Sequence, residues 1–271
     1  ILERHTYQNN KELQGLIQAA DEIITNILDE KEVVEKVFDI KERSADIYEH
    51  SISICSLATL TALRMKVDKP KVHDIAVGCL LHDLGLRYLT ISYTDQDINQ
   101  LSNAELAEYK KHPIYGYSVL KNETWLSDLS KNIVLYHHER IDGSGFPLRT
   151  KNISFEAKIV AICDAFDEMI CGIGCERQKV YQAVEYLKTF KGVQFDEKAV
   201  DTFLEFTAVY PAGSEVLLSD GSVARVIRQN KEFPDRPVLQ KKKKKNGQDI
   251  LKECNIDLIK TNNIFIEKVL E

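Results

Sequence analysis

The chain of 271 residues contains no apolar run near the ~20 residues that a membrane-spanning helix needs. It also lacks the basic-then-apolar opening of a secretory signal. Basic residues are not in excess: 36 Lys and Arg stand against 42 Asp and Glu, a formal net charge of −6. That balance gives no support to a nucleic-acid duplex as partner. It still admits a small anionic ligand wherever bound metal supplies local positive charge. The cysteines (Cys55, Cys79, Cys163, Cys171, Cys175 and Cys254) have no zinc-ribbon spacing, and Cys171-x-x-x-Cys175 is the nearest pair. They read as small buried residues in a reducing cytosol, so the expected compartment is the cytoplasm. The single tryptophan, Trp125, is expected in the core. The first residue is Ile1 rather than methionine, which suits a trimmed chain or a piece of a longer protein.

The length accommodates one large or two modest domains. From Leu13 to Leu28 apolar residues recur at helical spacing, predicting an opening helix that packs on the helical domain or leads in from an upstream one. Helical signals continue to about Ala208. Ser102-x-x-Glu105 is a capping-box pattern, and Asp196 is placed to cap a last helix. The pattern changes at Tyr210-Pro211-Ala212-Gly213. EVLLSDGSVARVIRQN alternates and carries Asp220-Gly221, and a second Asn246-Gly247 turn precedes further apolar pairs. The expectation is a mainly α protein: an N-terminal helical lead-in over 1–43, a helical bundle domain over 44–208, and a small antiparallel β module over 209–271. Lysines 241–245 are expected in a solvated loop.

The most informative segment is HHERIDGSGFP at 137–147. Adjacent imidazoles suit a transition metal because a neutral ring nitrogen binds without deprotonation. The glycines and the proline behind them shape a sharp loop. Other candidates stand on separate helices. Asp46 and His50 are spaced i, i+4; His82-Asp83 follows the apolar AVGCLL; His112 precedes Pro113; Asp164 sits in IVAICDAFD. Ionisable groups on several apolar faces would be costly if unpaired, and one shared metal centre explains them together.

The order H…HD…H…HH…D resembles the HD superfamily of metal-dependent phosphohydrolases, and HHERIDGSGFP resembles the signature of its HD-GYP branch, with Phe146 in place of the usual tyrosine. The similarity runs from about Ser44 to about Thr207 and includes YEHS, HDLG, HP, DAFD and GVQFD. It implies a helical domain hydrolysing cyclic di-GMP to pGpG or GMP through a metal-bridging hydroxide at two, or three, divalent ions, iron or manganese. The implied ligands are His50, His82, Asp83, His112, His137, His138 and Asp164, with Asp83 bridging and His82 and Asp83 as the catalytic pair. Asp46 stands where three-metal members carry a glutamate. Glu139 and Asp167 are placed to orient ligating histidines. The implied surroundings are a cyclic-dinucleotide substrate, an upstream sensory or receiver domain, and a homodimer.

The chain also departs from that pattern. HDLGL puts Leu86 where the family has a phosphate-binding lysine, and EMICGIGCERQ replaces an arginine-rich segment, with Ile173 and Glu176 at the basic positions. Arg87, Arg177 and Lys179 are the cations offered instead. These departures keep two other readings open: a degenerate relative serving as a cyclic-dinucleotide receptor or interaction module, and another nucleotide phosphohydrolase or di-iron oxygenase on the same scaffold.

Overall fold

The computed structural model describes residues 10–29, 46–230, 233–245 and 248–270. Its helices are α1 (Asn10–Asp29), α2 (Ile47–Arg64), α3 (Lys69–Leu81), α4 (Asn103–Tyr109), α5 (His112–Leu120), α6 (Asp128–Tyr136), α7 (Phe155–Cys171), α8 (Val180–Phe190) and α9 (Glu197–Leu204). Local chemistry sets their ends. The Ser102–Glu105 capping box closes the start of α4. Ser127, Ser154 and Asp196 accept backbone N–H bonds at the starts of α6, α7 and α9. Gly172, at φ 81°, ends α7 in the left-handed region that a side chain would disfavour.

Helix α7 runs through the core, with Ile159, Val160, Ile162, Cys163, Phe166 and Ile170 fully buried. It packs against α2, α3, α6, α8 and α9. The opening helix α1 lies against α2 and α3, burying Ala20 and part of Ile23 and Ile24. Trp125 packs partly buried at the core's edge, its indole N–H on Glu123. Cys55, Cys79, Cys163 and Cys171 are buried, as expected of small core residues. Among the described residues no helix is long and apolar enough to cross a membrane.

The C-terminal part is a five-stranded antiparallel sheet in the order β4-β3-β2-β1-β5, with β1 (Glu215–Leu218), β2 (Val223–Arg228), β3 (Val238–Lys245), β4 (Gln248–Asp257) and β5 (Ile266–Leu270). Asp220-Gly221 turns β1 into β2, with Gly221 at φ 75°. Val216, Leu218, Ala224, Val226, Leu239 and Leu258 form its core, and Tyr210 touches both this cluster and the helical one. The lysine run is a correction. Lys241–Lys245 belong to β3 rather than forming a loop, Lys241 pairing with β2 and Lys242–Lys245 with β4. Backbone pairing with the neighbouring strand overrides the low strand propensity of lysine. Asn246-Gly247 lies outside the described residues; on either side of it Lys245 pairs with Gln248.

Candidate metal centre

The histidines sit where helices end. His82 is the C-terminal cap of α3, His137 that of α6, and His112 opens α5 directly after α4. The last carbonyls of a helix have no partner within it. Each of these rings uses one: Nδ1 of His82 donates to Cys79 O at 2.6 Å, His112 to Tyr109 O at 2.9 Å, and His137 to Val134 O at 2.9 Å. A carbonyl only accepts, so Nδ1 carries a proton and Nε2 points the other way. His50, on α2, is held alike by a carboxylate, with Nδ1 2.7 Å from Asp167 Oδ2.

The four Nε2 atoms converge on Asp83. Asp83 Oδ2 lies 3.6 Å from His50 Nε2 and 3.4 Å from His82 Nε2, while Oδ1 lies 3.3 Å from His112 Nε2 and 3.6 Å from His137 Nε2. Asp164, on α7, puts Oδ1 3.4 Å from His50 and 3.5 Å from His82. His138 lies beside it, Nδ1 3.3 Å from Asp164 Oδ2. Two adjacent groups of possible metal ligands result, Asp83 with His112, His137 and His138, and His50 with His82 and Asp164. Gly85 makes the approach possible, because a side chain there would overlap the carbonyl of His112.

The electrostatics call for positive charge among these carboxylates. Burial opposes ionisation of Asp83 and Asp164, yet the surrounding histidines hold both carboxyls well below their usual range. Burial likewise opposes charge on His82, but Asp83 and Asp164 push it up to about 10, and Asp164 and Asp167 raise His50. His137 and His138 go the other way: burial keeps them neutral, reinforced at His138 by the neighbouring His137. His50 and His82 face each other Nε2 to Nε2 at 3.3 Å, as do His112 and His137 at 3.2 Å. Lone pairs so close repel unless a proton or cation lies between. His138 Nε2 and both Asp164 oxygens are buried without a hydrogen-bond partner, a cost of about 1–3 kcal/mol each if left so. The donor set of imidazoles and carboxylates therefore fits divalent transition metals.

Several sequence expectations need correction. Asp46 is not at the cluster: it is the N-cap of α2, exposed, and its Oδ1 accepts from Tyr48 N–H and Glu49 N–H. The helix begins one residue too late for an i, i+4 face to include it. Glu139 orients the loop rather than a histidine, accepting from Leu148 N–H and Thr150 N–H at 2.7 and 3.1 Å. Arg87 is exposed on the 3₁₀ turn Leu84–Tyr88, whereas its neighbour Leu86 is 2% exposed. Arg177 is committed to a two-pronged ion pair with Asp95 at 2.9 and 2.8 Å. Lys179 caps α8 and does not line the cavity beside the centre. Asp167, by contrast, orients His50 as expected.

A cavity of about 300 Å3 opens beside the centre. Tyr109, His138, Arg140, Phe146, Glu168 and Tyr186 are among its lining residues. Phe146 stacks on His138 at 4.4 Å. Arg140 is a cation that sequence reasoning misses, although it follows HHE directly. Its guanidinium sits 4.8 Å over the Phe195 ring and donates to Glu139 O at 3.1 Å.

A protein-family model described as an HD domain matches residues 20–199, and one described as a KOW domain associated with HD domain matches 215–271. The chain is 27% identical over 216 residues to a cyclic di-GMP phosphodiesterase of Pseudomonas aeruginosa, covering 78% of this chain and 51% of that protein. It is 33% identical over 133 residues to a 3'3'-cGAMP-specific phosphodiesterase of Vibrio cholerae, covering 46% of this chain and 24% of that one. The chain thus spans about half the first relative's length and a quarter of the second's. An HDG"Y"P protein of Bdellovibrio bacteriovorus has a similar fold, with a TM-score of 0.64 at 22% identity over 73% of this chain and 64% of that one.

Proposed function

The chain belongs to the HD domain family, and on that premise we propose that it is a metal-dependent phosphodiesterase that opens cyclic di-GMP to pGpG and on to GMP. One observation carries this reading: the two oxygens of Asp83 face two different histidine pairs, the arrangement of a carboxylate shared by two ions. His50, His82, Asp83 and Asp164 would hold one ion; Asp83, His112 and His137, with His138 adjacent, would hold the second. Iron or manganese suits these donors. Such ions supply charge neutralisation at a phosphate and lower the pKa of water.

The chain's own residues do the rest. Asp167 and the carbonyls of Cys79, Tyr109 and Val134 fix the orientation of each ring. Tyr109, Phe146 and Tyr186 give the cavity flat apolar walls suited to a purine. Arg140 lines the same cavity and supplies a positive charge for a phosphate or a base edge.

The test is hydrolysis of cyclic di-GMP, 3'3'-cGAMP and cyclic di-AMP by protein loaded with manganese or iron, read by chromatography. Cyclic di-GMP should be cleaved, and Asp83→Ala should lose both the cleavage and the ions of the paired centre. Full metal loading without cleavage of any of the three defeats the reading. A receptor is the second reading, favoured by the buried Leu86 and by the engagement of Arg177 with Asp95; binding of cyclic di-GMP without turnover would select it.

A further inference from the structure

We propose that His138, Asp164 and Glu168 form a third cation site on the cavity side of the paired centre, with Glu168 as its distinguishing ligand. The proposal rests on the reading of the paired centre as a metal site. Asp164 and Glu168 are spaced i, i+4 on α7, so both carboxylates leave one face of the helix. The ring of His138 lies between them. Its Nδ1 is 3.3 Å from Asp164 Oδ2, and its Nε2 is 3.8 Å from Glu168 Oε1. One donor atom from each residue can be chosen so that all three lie within 4.8 Å of one another.

Unpartnered atoms point to a missing ligand there. His138 is 3% exposed and Asp164 fully buried, and the Nε2 of the one and both oxygens of the other lack a hydrogen-bond partner. Asp164 can bridge as Asp83 does, because Oδ1 faces His50 and His82 while Oδ2 faces His138. His138 has one lone pair to give. The ring stands at the boundary of two groups of possible ligands, Asp83 with His112 and His137 on one side and Asp164 with Glu168 on the other, and we assign it to the second, where its Nε2 faces Glu168. Asp46 is no rival for the role, its Oδ1 being engaged by two backbone N–H groups at the start of α2.

Position gives the site its use. His138 and Glu168 both line the cavity. An ion between them would present its open coordination positions to that space and could take a phosphate oxygen of the incoming ligand. One imidazole and two carboxylates suit manganese or ferrous iron, and three protein donors leave such positions vacant.

The experiment counts manganese per chain in full-length protein, by native mass spectrometry and elemental analysis after removal of free metal. Wild type should hold three ions, Glu168→Gln two, and Asp46→Ala three. Circular dichroism establishes that Glu168→Gln is folded. Crystals soaked in manganese give a readout that needs no variant: an anomalous peak within coordination distance of the Glu168 carboxylate. Wild type holding two ions, both stripped by Asp83→Ala, overturns the third site and leaves the paired centre standing. So does Glu168→Gln that retains three, or a third ion lost in Asp46→Ala. Wild type holding none overturns both readings.

Discussion

His50 and Asp167 lie 117 residues apart and meet through a 2.7 Å hydrogen bond, fully buried, from the ring Nδ1 to the carboxylate Oδ2. Ser53 donates to the other oxygen at 2.6 Å. The carboxylate thus anchors the ring whose far nitrogen faces Asp83 and Asp164. Asp167→Ala should lower metal affinity about 10–100-fold, as loss of a partner behind a ligating histidine does. The measurement is a competitive metal titration, with unchanged helical circular dichroism as the control. Unaltered affinity would show that the ring is held by packing alone.

Gly85 gives a second prediction. A methyl group there would overlap the carbonyl of His112, so Gly85→Ala must push the turn carrying Asp83 away from α5. Overpacking of this kind costs about 1–3 kcal/mol. The variant should melt lower and hold fewer ions, by calorimetry and elemental analysis. A full metal complement at an unchanged melting temperature would mean that the turn gives way freely.

Leu86→Lys tests whether the absent lysine can simply be restored. Because Leu86 is 2% exposed, a lysine there would have to bury its ammonium or displace its neighbours to reach solvent. The expected outcome is a less stable protein with no gain in kcat/KM for cyclic di-GMP. A rise in kcat/KM would show that a side chain at this position reaches the phosphate.

Thiol reactivity gives a fourth. Burial pushes the Cys55 thiol up to about 12 and raises those of Cys79 and Cys163. At pH 8 these groups are protonated and inaccessible, and the thiolate is the reactive form. Iodoacetamide should leave all three unmodified in the folded protein and label them in denaturant, as peptide mass spectrometry would record. Labelling of Cys55 before unfolding would contradict the packing of α2.

Several residues resist a reading from sequence for reasons that can be named. Asp46 looks like a partner of His50 only if helical spacing is extended past the true start of α2; an aspartate before a helix is at least as good a cap as a ligand. Glu168 escapes notice because a glutamate in a helix ordinarily faces water, whereas this one faces the cavity. Arg140 escapes because a charge in a loop has no periodicity to mark its direction. The lysine run misleads because composition is blind to the strand β4 that pairs with it.

The sequence by itself determined the parts: helices punctuated by Ser102, Asp196 and Gly172, the Asp220-Gly221 hairpin, and a set of histidines and aspartates too costly to bury separately. Those are local matters, decided by backbone preference and side-chain chemistry within a few residues. Only the tertiary structure decided that Asp83 stands between two histidine pairs drawn from α2, α3, α5 and α6, and that Asp164 shares one of them. Those distances depend on how helices pack, and side chains far apart in the chain meet only when a common core brings their helices to one depth. The same packing made Leu86 an apolar core residue and left Arg140 and Glu168 at the cavity.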